Sequence, residues 1–251
     1  MVTSTKTSFH WIRFLLDALE MAGEFDDGVL TERERRMLNM FQFTVWQKPF
    51  EECGFQQATD AIRVIAACPV LCSELKDLLR YNFDHIDFVD EAVDLGFDCP
   101  LDAHCTYSRD QALVAMDFMQ PANVREGVKY LPEKGLDVFF VTLNKSDKEY
   151  SPTTMYNDYA VNKTLFHWQS QSTTSEESST GQRYIHHRER GSRVLLFVRE
   201  HKKDQYGAVP YTFLGEAEYL SHTGSRPMNI TLRLAMPIPA KYLRKTNRLV
   251  M

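Results

Sequence analysis

The chain has 251 residues, 43% of them hydrophobic and 12% aromatic, which is enough to bury a core in one large domain or two small ones. No stretch approaches the roughly 20 uninterrupted apolar residues of a membrane span. The opening "MVTSTKTSFHWIRF" lacks the apolar run of a secretion signal, and five irregularly spaced Cys suit reduced thiols better than a disulfide framework. The expectation is a cytoplasmic protein with no membrane partner.

The net charge of −5 conceals a division: residues 1–105 hold nine Lys/Arg against nineteen Asp/Glu, and residues 106–251 hold twenty against fifteen. A basic half joined to an acidic half speaks to partners more than to fold. Periodicity changes at the same place. "FHWIRFLLDALEMA" sets Phe9, Ile12, Leu15, Leu16 and Leu19 near one helical face. "TERERRMLNMFQFTVW" opens with Thr31 and Glu34 at capping-box spacing, which predicts a helix start. "QQATDAIRVIAACPVLCSELKDLLRYN" reads as two helices parted near Pro69, and "IDFVDEAVDLGF" as a further short helix ending near Gly96. "YSRDQALVAM" predicts one more, capped by Ser108.

Beyond it come β-like runs, "DVFFVTLN", "TLFHWQSQ", "QRYIHH", "RVLLFVRE", "YTFLGEAEYLSH" and "PMNITLRL", bounded by Gly, Pro, Asn and Ser. The expected fold is α+β: a helical acidic domain over 1–105, then a β-rich basic domain over 106–251. The latter forms a twisted, mostly antiparallel sheet or a partly open barrel.

Cys68, Cys72, Cys99, His104 and Cys105 lack the two paired spacings of a zinc site, so buried thiols are the simpler account. Asp137 and Lys145 in "GLDVFFVTLNKSDKEY" lack the acidic-x-Lys pair of a metal-dependent nuclease. On a strand the two neighbours in "HHRER" would point to opposite faces. Neither a Walker-type "GxxxxGK" nor "HExxH" occurs. No metal, cofactor or catalytic residue is expected, and the chain reads as a binding module rather than an enzyme.

The pattern that coheres is nucleic-acid binding. Residues 181–203 alone hold seven basic and two acidic residues. Lys145, Arg183, His186, Arg188, Arg190 and Arg193 are candidates for DNA phosphates. Tyr156, Tyr159, Phe166 and Trp168 are candidates for a base or modification pocket, with Gln169, Ser170 and Gln171 for polar edges. Tyr184 belongs to the same aromatic set. In a strand, Phe166, Trp168 and Ser170 share one face and His167, Gln169 and Gln171 the other, so one face is core.

At these residues the sequence resembles a known family. The runs "SPTTMY", "LFHWQSQS", "TGQRYIHH" and "GSRPM", within about 107–239, are similar to the C-terminal domain of unknown function of bacterial helicase–nuclease proteins. Those proteins carry a superfamily 2 helicase and a phospholipase D-like nuclease, of which no "DExx" box or HKD motif is present here. The resemblance implies a target-recognition domain similar to SET- and RING-associated base-flipping readers, serving restriction and antiviral defence against modified DNA. The implied partners are double-stranded, modified DNA and helicase and nuclease domains or subunits. A methylated-cytosine reader, a phosphorothioate-backbone reader and a protein-interaction module without DNA binding are the alternatives that remain open.

Overall fold

Thr31 and Glu34 exchange side-chain and backbone hydrogen bonds at the start of a helix, as their spacing predicts. In this computed structural model, which describes residues 6–21, 27–86, 91–144 and 158–246, that helix is α2. The chain divides into two compact units, Met1–Arg125 and Glu126–Met251. The first holds eleven Lys/Arg against twenty-one Asp/Glu and the second eighteen against thirteen, giving −10 and +5. The boundary between the units thus lies about twenty residues beyond the expected 105/106 division, with the same net charges on either side.

The first unit is built on α1 (Phe9–Glu20), α2 (Glu32–Val45), α3 (Asp60–Ala66), α4 (Pro69–Asp84) and α5 (Arg109–Ala115). Ser8 caps α1 and Ser108 caps α5 through a second capping box. Pro69 begins α4, where its missing N–H costs no helical bond. Trp11, Ile12, Leu15 and Leu19 from α1 are buried, as are Leu38 and Phe41 of α2. The Trp11 indole donates to the Met37 carbonyl at 2.9 Å. Buried Asp102 ties the unit together by accepting from Ser8 and lying 3.4 Å from Arg33.

One expected helix is not found among the described residues. Residues 87–90 of "IDFVDEAVDLGF" lie outside the described residues, and Glu91–Ala92 pairs instead with Asp102–Ala103 as a short antiparallel ladder. Asp90 and Asp94 stand four apart, a like-charge repulsion in any helix. In the observed turn Asp94 accepts from the Gly96 N–H at 2.8 Å.

The second unit is a mixed, mostly antiparallel sheet. Its strands are β1 (Val128–Leu131), β2 (Leu136–Thr142), β3 (Tyr159–Ala160), β4 (Leu165–Gln169), β5 (Arg193–Arg199), β6 (Tyr211–Thr223) and β7 (Asn229–Leu234). They lie in the order β1-β2-β5-β6-β7-β4-β3, with β1 and β3 at the open edges. Only the β2–β5 pair along this path is parallel. The fold is thus α+β with an unclosed sheet, and the parallel neighbours β2 and β5 are apolar and buried through their middles.

"QRYIHH" is not a strand. Ser178 accepts from the Gly181 N–H at 3.0 Å and caps a helix, α6 (Ser179–Ile185). A Cβ at Gly181 would lie 2.0 Å from the Ser175 carbonyl oxygen, so only glycine lets α6 sit this close to the preceding loop. Tertiary packing overrides the strand-like composition of Tyr184 and Ile185.

Candidate functional site

Strand β4 alternates strictly between half-buried and buried residues. Phe166 and Trp168 face inward at 0% and 4% exposure. Trp168 stacks on Phe139 at 4.0 Å and meets Tyr184 edge-on at 5.5 Å. These two rings, expected to wall a pocket, are therefore core, because the inward face of β4 is continuous with the inner face of β7. Ser170 is also buried: its Oγ accepts from the Met228 N–H at 2.9 Å and so fastens β4 to the turn before β7.

The other face of β4 is more open. Tyr159 stacks on His167 at 4.7 Å with an 11° interplanar angle. Gln169 donates to Asn229 Oδ1 at 3.1 Å. Beyond the strand Gln171 donates to the exposed carboxylate of Glu126. Tyr156 and Lys145 lie outside the described residues.

A polar cluster lies where α6 meets β2. Arg183 donates from Nε and Nη2 to the two oxygens of Asp137 at 2.8 and 3.0 Å. Asp137 is fully buried, whereas the Arg183 side chain keeps 17% of its surface. The guanidinium lies over the Tyr130 ring at 3.9 Å, a cation–π contact from the neighbouring strand. Burial pushes the Asp137 carboxyl upward, against the opposing hydrogen bond and charge of Arg183. Burial lowers the Arg183 guanidinium, but Asp137 more than offsets it, so the group is held charged. Burial likewise raises the Tyr184 hydroxyl, with the Asp137 charge adding to it.

Arg183 was expected at a phosphate. Its two-point pairing with a buried carboxylate gives it a different position, at the inner end of a cluster with Tyr130, Tyr184, Glu126 and Gln171. An acidic residue inside the apolar run "LDVFFVT" is the sequence signal for this cluster, since a buried charge requires a partner. Nothing local to Asp137 names Arg183 as that partner.

The remaining described basic candidates run from the end of α6 through the following turn to Arg193, the first residue of β5. Gly191 adopts a φ of 66°, and the Ser192 N–H donates to the His187 carbonyl at 2.7 Å. His187 is buried, and its Nε2 accepts from the Tyr219 N–H at 3.0 Å, anchoring the turn to β6. His186 is the helix C-cap beside Glu189 at 2.8 Å. Arg188 contacts Glu218, and Arg193 lies 3.7 Å from Glu216. Arg190 is exposed. Any phosphate reaching Arg188 or Arg193 competes with a glutamate already in place. Among the described residues no cluster of three or more His, Cys, Asp or Glu is arranged to hold a metal ion.

Residues 101–245 match the family described as a domain of unknown function, DUF3427. The chain belongs to that family. The DUF3427 span takes in strands β1 to β7, the Asp137–Arg183 pair and the basic turn. The family description carries no function. No curated protein matches the chain.

Proposed function

We propose that the second unit, Glu126–Met251, is a DNA-binding module that reads modified DNA for a helicase–nuclease restriction or defence system. The observation that carries this reading is the segregation of charge between two folded bodies, −10 on one and +5 on the other. Phosphate repels the first and is attracted by the second. On the second unit Lys163, Arg188, Arg190, Lys203, Arg226 and Arg233 are exposed. Tyr159, His167 and Gln169 add a half-buried aromatic and amide face of the type that contacts bases. The likeness of "LFHWQSQS" and "TGQRYIHH" to the recognition domain of helicase–nuclease proteins supports the choice of modified DNA. The acidic helical unit then docks on the motor or nuclease.

The test is direct binding of the full chain to matched duplexes that are unmodified, 5-methylated, 5-hydroxymethylated or phosphorothioated. Preference for one modified duplex, with affinity falling as salt rises, is the expected result. Equal, salt-insensitive or absent binding counts against it. One observation favours a second reading, a protein-interaction module. Arg188, Arg193 and His186 each face a glutamate, the arrangement of a solvated, self-neutralised surface.

A further inference from the structure

Strands β6, β7, β4 and β3 lie side by side at one end of the sheet, and their register fixes which side chains share its outer face. On the inner face Phe166 and Trp168 stand opposite Leu232 and Ile230, and all four are buried. Alternation therefore turns the intervening residues outward in cross-strand rows. Tyr159, His167 and Thr231 form one row. Gln169 and Asn229 begin the next, and Arg233 stands opposite Leu165 in the third. Arg233 is exposed and the other outward residues named are half-buried.

The rows are held in place by local chemistry. The Tyr159 and His167 rings stack across the two strands, while Gln169 donates to Asn229 and Asn229 donates to the Thr223 carbonyl at 3.3 Å. At the tip of the β3–β4 turn Asn162 Oδ1 accepts from the Thr164 and Leu165 N–H groups, each at 2.9 Å. The Ile238 N–H donates to the Lys163 carbonyl at 2.7 Å, which fixes the backbone of that exposed lysine. Glu218, the residue opposite Arg233 on β6, contacts Arg188 instead. Among the described residues the Arg233 and Lys163 side chains form no ion pair.

We propose that this face binds single-stranded DNA, with unpaired bases on the Tyr159–His167 stack and phosphates at Arg233 and Lys163. The inference rests on the DNA-binding reading above and names the form of nucleic acid that this face takes. Two unpaired cations give the face a charge complementary to phosphate, but they are few for a duplex, whose affinity comes chiefly from neutralised phosphates. Stacking on aromatic rings supplies affinity that needs little charge, and it requires a base face that pairing and stacking within a duplex conceal. The edge strand β3 is two residues long, so the rings stand beside an open edge of the sheet that a strand can cross.

The test measures fluorescence anisotropy of the full chain with a labelled oligothymidylate of about twelve nucleotides, a length within the usual range of single-strand sites, and with an unmodified duplex of the same length. Wild type should bind the single strand more tightly than the duplex at the same salt. Tyr159→Ala should weaken the single strand about ten-fold and the duplex less than about two-fold. Tyr159→Phe, which keeps the ring, should bind like wild type, and Arg233→Ala should flatten the salt dependence of single-strand binding. Single-strand affinity unchanged in Tyr159→Ala, or lost equally in Tyr159→Phe, overturns the site. If Tyr159→Ala fails to fold, Arg233→Ala decides: unchanged affinity and salt dependence overturn the site. Tighter wild-type binding to the duplex also overturns it, and leaves the DNA-reading proposal standing where one modified duplex is preferred. A wild-type chain that binds neither single strand nor any duplex overturns both.

Discussion

Asp137 and Arg183, 46 residues apart, are joined by two hydrogen bonds of 2.8 and 3.0 Å that pin α6 to β2. Removing one partner from a buried pair leaves the other charge uncompensated. Asp137→Ala should therefore cost about 3–5 kcal/mol, measured by chemical denaturation. Arg183→Lys should recover only part of the loss seen in Arg183→Ala, because an ammonium cannot reproduce the planar two-point contact. Equal stability of Asp137→Ala and wild type would remove the pair from any account of the fold.

Trp168 and Phe166 should behave as core residues. Trp168→Ala deletes a ring stacked on Phe139 and should cost about 3–5 kcal/mol. Protein that still folds should keep its ratio of affinities for modified and unmodified DNA. A variant that melts like wild type while losing that ratio would place the ring at the ligand.

What the sequence revealed follows the range of the interaction involved. Capping at Thr31 and Ser108, the break at Pro69 and the alternation of "LFHWQ" are local, and each appears where its chemistry predicts. The alternation also showed that Phe166 and Trp168 share a face, but periodicity does not say which face is covered. Burial on the side of β7 decides it. "QRYIHH" was misleading because the close approach of Gly181 to Ser175 is a tertiary fact invisible in composition. Arg183 looked like a member of a basic run, since its partner lies on a strand far away in sequence. The cluster it forms with Tyr130 and Glu126 has no local signature.

Stability should fall in alkaline solution. Burial pushes the Cys99 thiol in the first unit from 9.0 up to about 12. Burial also pushes the Tyr242 hydroxyl in the second from 10.0 up to about 12. Both groups are raised on folding, so their contribution is fully present below the unfolded values and is lost as pH climbs toward about 12. The limiting slope is about 1.4 kcal/mol per pH unit for each group. Denaturation midpoints taken between pH 8 and 10.5 should decline, and Cys99→Ala should flatten the early part. A midpoint that rises over this range would contradict the burial of both groups.

Replacing Arg188, Arg190 and Arg193 together with Ala should weaken binding to every duplex by similar factors and flatten the salt dependence. Exposed ion pairs contribute about 0.2–1 kcal/mol each, so the Glu218 and Glu216 contacts make only a modest stability loss. Loss confined to one modified duplex would mean that this turn reads chemistry rather than backbone charge.

Hydrogen–deuterium exchange of the full chain, with and without a duplex at low salt, tests the division of labour most directly. The account predicts slowed exchange on DNA binding within residues 126–251, including the turn at Gly191, and unchanged exchange in residues 1–125. Slowing concentrated in the acidic unit, or no change anywhere at saturating DNA, would contradict it.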